Sequence, residues 1–211
     1  MLVRSHRDIF SILSIILSIA LVILAFVLHN VLQTWLMSRY GNRAPHHQPS
    51  FSPQLRHHID MLGAISLLLL GIGWAKPVTL DPAYQQLSKR LELVIWYSGP
   101  AAFLIFALLY NLLSALTSIR GWLYLDISFG TAGYYLLIHV IAHLLPIWLF
   151  DGAKGALIWG DRRIKGLVHT TKNAYPAGTM GFLLIIILVG IDDWLFWFND
   201  DFIEYIIRII R

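Results

Sequence analysis

Four runs of this chain carry no Asp, Glu, Lys or Arg and are long enough to cross a bilayer: Ile9–Ser38, Leu93–Ile119, Ile127–Phe150 and Asn173–Ile191. A hydrocarbon core of about 30 Å takes roughly 20 helical residues, so each run predicts a transmembrane helix. A further apolar run, Met61–Ala75, has only 15 residues and is interrupted by Gly63, Gly71 and Gly73. At 1.5 Å per residue it reaches about 22 Å, which predicts a re-entrant or tilted segment buried in protein. At the end of the chain, Ile206, Ile207, Ile209 and Ile210 surround Arg208; 202–211 is expected to lie in the interface as an amphipathic helix. The pattern predicts one all-α integral membrane domain over 1–211. It has about four spans (9–38, 93–119, 127–150, 173–191), a re-entrant segment at about 61–75 and an interfacial tail.

Composition agrees: 57% of residues are hydrophobic and 13% charged, which excludes a soluble globule. Arg4 and Arg7 precede the first apolar run as in a signal peptide, but the run is too long and has no small-residue cleavage pattern. The basic residues set a topology. If 61–75 dips and returns, eleven of them (Arg39, Arg43, Arg56, Lys76, Lys89, Arg90, Lys154, Arg162, Arg163, Lys165, Lys172) share one face and five the other; a full span would make the split ten to six. The positive-inside rule favours the first arrangement, with the basic loops cytoplasmic. That arrangement also brings residues near 29–33 and Asp151 to the same side of the membrane. The net charge of +4 is then a topology signal, and nucleic acid is not an expected partner. With no cysteine, disulfides, thiolate metal sites and thiol catalysis are excluded.

Candidate chemistry lies in the polar residues inside the apolar runs, since such residues are costly there. His29, Asn30 and Gln33 fall within about one helical turn, with His29 and Gln33 on one face. His57-His58-Ile59-Asp60 leads into Gly73-Trp74-Ala75-Lys76-Pro77-Val78 and Thr79-Leu80-Asp81-Pro82. Ser98-Gly99-Pro100 puts a helix-breaking proline inside a span. His143-Leu144-Leu145-Pro146 precedes Ile147-Trp148-Leu149-Phe150-Asp151-Gly152, where Pro146 loosens the helix and Asp151 arrives at the membrane edge. His139 and His143, four residues apart, share a face and invite comparison with a pigment site, but polar packing in the bundle is the simpler reading. His46-His47 gives only a weak surface-metal signal, and the tryptophans fit an interfacial belt.

In order and spacing these segments resemble the site-2 protease family of intramembrane zinc metalloproteases, in particular its compact bacterial-type branch. That family carries His-Glu-x-x-His, then His-Ile-Asp-Pro-x-Gly, Gly-Trp-x-Lys-Pro-Val, an apolar Gly-Pro span, and Asn-x-x-Pro-x-x-x-Leu-Asp-Gly. By resemblance, His29 and Asp151 stand at zinc-ligand positions, Gln33 at the second histidine and Asn30 at the catalytic glutamate. His58, Asp60, Gly73, Trp74, Lys76, Pro77 and His143 belong to the groove for a transmembrane or extended peptide. The departures are Asn30, Gln33, His143 in place of Asn, and Trp148 and Leu149 where prolines are usual.

An amide at position 30 carries no titratable proton near neutral pH, and loss of a general base costs about 10²–10⁴ in rate. A glutamine carbonyl is a poor zinc ligand, and His29 with Asp151 falls short of the usual three or four. His143 lies eight residues before Asp151, about 12 Å along an ideal helix, and could join the site only if Pro146 bends the chain. The resemblance therefore implies a pseudoprotease of a bacterial-type inner membrane. It would bind a transmembrane partner or serve as a subunit of a membrane complex, with no cofactor unless zinc is retained. An active intramembrane zinc metalloendopeptidase with an altered site is the alternative.

Overall fold

The computed structural model describes residues 2–40, 52, 54–78 and 87–210. His46, His47 and Thr79–Pro82 lie outside the described residues. Among those described, the fold is entirely helical apart from a single antiparallel bridge, Ile59 to Ala75. The helices are α1 (Leu2–Tyr40), α2 (Met61–Leu70), α3 (Lys89–Ile119), α4 (Leu123–Leu144), α5 (Asp151–Trp159), α6 (Arg162–Asn173), α7 (Ala177–Leu188) and α8 (Ile191–Ile210).

Among the described residues, three helices are long and apolar enough to cross a membrane: Ile12–Tyr40 of α1, α3 and α4. They pack on one another around Phe26, Phe103, Leu136, Ile138 and Ala142. Close approach of α1 to α4 comes from small polar residues: Ser18 Oγ donates to Ser128 O at 3.2 Å and Ser14 Oγ to Tyr124 O at 3.3 Å. Such contacts hold helices together where lipid removes the hydrophobic driving force between them. The opposite faces present Ile12, Ile15 and Ile16 on α1 and Ile105, Leu108 and Leu112 on α3, all exposed. A row of exposed aliphatic side chains on long apolar helices is a lipid-facing surface, and the protein is a membrane protein.

The segment after α1 doubles back. Asp60 caps α2 by accepting from Gly63 N at 2.9 Å, and Gly71 ends the helix in the left-handed conformation (φ 73°). The chain then returns extended, and Lys76 N donates to His58 O at 2.7 Å. Ten helical residues rise about 15 Å. The return therefore brings Ala75 level with Ile59, and both ends of the segment expected at 61–75 lie together.

One expected span has other boundaries, and another, 173–191, is not among the helices long enough to cross a membrane in the described residues. The run 127–150 is helical only to Leu144. Leu145 is extended (φ −72°, ψ 143°), as the residue before a proline prefers, and Pro146 begins a turn that runs to Phe150. The run 173–191 contains the 12-residue α7, about 18 Å long, followed by Gly190 at φ 74°. The tail expected at 202–211 belongs to the 20-residue α8. Its face is held to the bundle by polar bonds: Asn111 Nδ2 donates to Asn199 Oδ1 at 2.8 Å, and Asn199 Nδ2 to Gly130 O at 3.4 Å.

Candidate metal centre

The deep polar residues of three elements meet at one point. α1 brings His29, which lies eleven residues before Tyr40, about 16 Å along the axis. α4 ends one residue beyond His143. The turn after Pro146 reverses the chain, so that Asp151, the first residue of α5, comes back over that helix end. Gly152 makes this reversal possible: a Cβ there would overlap the carbonyls of Leu144 and Leu145. The carboxylate also sits in the first turn of α5, where unpaired N–H groups favour negative charge.

His29 Nε2 lies 2.8 Å and His143 Nδ1 3.0 Å from the same oxygen, Asp151 Oδ2. All three residues are at most 3% exposed. One ligand atom from each lies within 4.8 Å of the others. The imidazole of His29 is stacked on Phe103 at 4.7 Å and 11°. On the α3 side, Gly99 leaves room for the pair: a Cβ there would overlap His29 Nε2 and Asp151 Oδ2.

The amides of the α1 pentapeptide have other tasks. Pro100 carries no N–H, so the carbonyl of Trp96, four residues earlier, lacks its helical donor. Gln33 Nε2 supplies one at 3.2 Å, and its Oε1 finds no hydrogen-bond partner among the described residues. Gln33, placed by sequence at a ligand position, thus repairs α3, while His143, assigned to the groove, stands with His29 and Asp151. Asn30 Nδ2 donates to Lys76 O at 3.2 Å, which turns its Oδ1 toward His29 Nδ1 at 3.1 Å. An amide oxygen only accepts, so the Nδ1 of His29 carries the proton.

Of the groove residues, His58 is buried and donates through Nε2 to Ser52 O at 2.6 Å. Asp60 accepts from Trp74 Nε1 at 3.1 Å besides capping α2. Gly73 N donates to His139 Nε2 at 3.1 Å, while His139 Nδ1 donates to Tyr135 O at 2.6 Å. Both nitrogens of His139 are engaged, so it is a packing residue. Lys76 and Pro77 are exposed, and Lys76 Nζ donates to Arg56 O at 3.0 Å. Beside these residues a cavity of about 150 Å³ opens between α1 and α2, lined by Ile19, Ile23, Phe26, His58, Asp60 and Trp74.

Lys154, which sequence reasoning did not single out, is one turn after Asp151. Its Nζ donates to Val78 O at 3.0 Å, lies over Trp96 at 4.0 Å and stands 4.0 Å from Asp151 Oδ1. Burial lowers its pKa to about 8, against an opposing pull from Asp151. The signal available was its i, i+3 spacing from Asp151.

Two imidazoles and a carboxylate are the donor set of catalytic zinc sites that keep one open position, so the residues present fit a metal ion of that class. The fold and this cluster define a helical membrane protein with a buried His–His–Asp centre. In sequence it is similar to a protein of Bacillus subtilis (strain 168) named "Putative zinc metalloprotease YwhC". The two are 24% identical over 165 residues, 77% of this chain and 75% of the relative. No family model matches the chain. No solved structure matches it.

Proposed function

We propose that this chain is a site-2-protease-like membrane protein that holds a transmembrane or extended segment of a partner without cutting it. The reading is carried by Asn30. At the position of the family's proton-carrying glutamate stands an amide, with one end bonded to His29 and the other to the returning strand at Lys76. A zinc ion held by the cluster would polarise a carbonyl or a water. The residues of this chain would exclude bulk water and fix the ligands, but no carboxylate is in place at position 30 to carry the proton. Asp60, a further carboxylate of the matched motifs, is used to cap α2 and to hold Trp74.

The groove residues of the Met61–Val78 hairpin support a binding role, and the hairpin is read as re-entering the membrane. The basic loops at the ends of α1 and α4 are assigned to the cytoplasmic face of a bacterial-type inner membrane. Lipid and a membrane-embedded polypeptide are the partners. Photo-crosslinking of the full chain to model transmembrane peptides in proteoliposomes tests the proposal. Adducts at the intact peptide mass, formed through the hairpin, are the expected result. Adducts at a truncated mass, or no adduct with any peptide, would contradict it.

A further inference from the structure

We propose that His143 is the third protein ligand of a divalent first-row transition-metal site completed by His29 and Asp151, in place of Gln33. The inference concerns the site discussed above, but it stands on the geometry of this chain and not on whether the chain cuts peptides.

The first support is the direction of the lone pairs. Asn30 Oδ1 engages Nδ1 of His29 at 3.1 Å, and the other ring nitrogen, Nε2, points at the carboxylate oxygen of Asp151 at 2.8 Å. An orienting hydrogen bond to the far nitrogen is the usual arrangement of a metal-binding histidine. His143 Nδ1 reaches the same oxygen, and its Nε2 is buried without a hydrogen-bond partner among the described residues. Around a zinc ion with bonds of about 2.0–2.2 Å, tetrahedral ligand atoms lie about 3.3–3.6 Å apart. The contacts at 2.8 and 3.0 Å would have to open by about 0.3–0.8 Å to reach that spacing.

The second support is the diversion of Gln33, whose amide nitrogen is committed to the carbonyl freed by Pro100. The third is the path of the chain. Pro146 ends α4 beyond His143, and Leu149 turns at φ 89°, a conformation closed to the prolines usual at that position in the family. The turn that departs from the family pattern is the one that carries Asp151 back to the departing histidine. Two histidines and a carboxylate suit zinc, and equally ferrous iron with open positions.

The test uses the full chain in detergent, stripped with a chelator and titrated with zinc, ferrous ion and cobalt(II) as a spectroscopic probe. One ion per chain is expected, with a cobalt spectrum of low-symmetry N/O coordination and a rise in Tm on loading. The zinc and ferrous arms identify the preferred ion. His143→Asn is expected to weaken binding more than tenfold and to remove the Tm rise, whereas Gln33→Leu leaves the affinity within about twofold. His143→Gln serves if His143→Asn does not fold. Absence of one-equivalent binding by any of the three ions would overturn the proposal. So would unaltered affinity in the His143 variants, or a loss in Gln33→Leu equal to theirs. Proteolysis by the loaded protein would sink the functional reading above and leave this one standing; failure to bind metal would do the reverse.

Discussion

The pentapeptide His29–Gln33 on α1 and the junction His143–Asp151 between α4 and α5 face each other across the bundle, and they use their polar side chains in opposite ways. On α1, two of three polar side chains are neutral amides that serve the backbone: Asn30 ties the helix to Lys76, and Gln33 caps the carbonyl exposed by Pro100. At the junction the turn that follows His143 brings Asp151 back to it. The nitrogens that converge on Asp151 come from His29 and His143, while position 30 carries an amide. A metal site and a hydrolytic site are therefore separable, since the first needs converging lone pairs and the second needs a base beside them.

The comparison breaks most completely at Asp151, where both halves meet. Asp151→Ala leaves two buried imidazoles facing each other, and removal of one partner from such a cluster costs about 3–5 kcal/mol. Thermal denaturation in detergent should show a fall in Tm, with metal binding abolished. Next in size is Gly99→Ala, whose methyl overlaps His29 Nε2 and Asp151 Oδ2. Overpacking of about 1–3 kcal/mol is expected, together with loss of the cobalt spectrum. Gln33→Leu removes the donor to Trp96 O, and an unsatisfied buried carbonyl costs about 1–3 kcal/mol. This variant should lower Tm while its metal affinity holds, which separates the α1 region from the junction.

The smallest effect is a pH dependence outside the spanning helices. Burial pushes the His58 imidazole below its ordinary value, although its bond to Ser52 acts the other way. Its Nε2 proton is bonded and its Nδ1 has no partner among the described residues, so the fold holds the neutral form. The unfolded chain takes up a proton below about 6.5. The contribution of His58 is thus complete above that pH and declines as the pH falls below it. Hydrogen exchange at the Gly63 and Lys76 amides, corrected for intrinsic rates, should quicken from pH 6.5 to 5 in the wild type and lose that dependence in His58→Gln.

Much of this was legible in the sequence for physical reasons. Uncharged runs longer than a bilayer locate α1, α3 and α4, and in the run at 61–75 Gly71 marks where α2 ends and the chain turns. Topology placed His29 and Asp151 on the same side, and they meet. The partners of the amides were not legible, because Gln33 answers a carbonyl 63 residues away that is exposed only by Pro100. The place of His143 depended on how sharply the chain turns between Pro146 and Phe150. A run of apolar residues also hides its interruptions: nothing in 173–191 except Gly190 marks where α7 stops and α8 begins. Lys154 was passed over because a lysine after an Asp-Gly pair reads as a loop charge until Trp96 is seen beneath it.

The most direct measurement is hydrolysis of a transmembrane peptide by the zinc-loaded full chain in proteoliposomes, followed by mass spectrometry over many hours beside Asp151→Ala. The absence of a base at Asn30 requires that the loaded protein yield no more product than the variant. Cleavage at a defined bond by the wild type, abolished in Asp151→Ala and by chelation, would contradict the account.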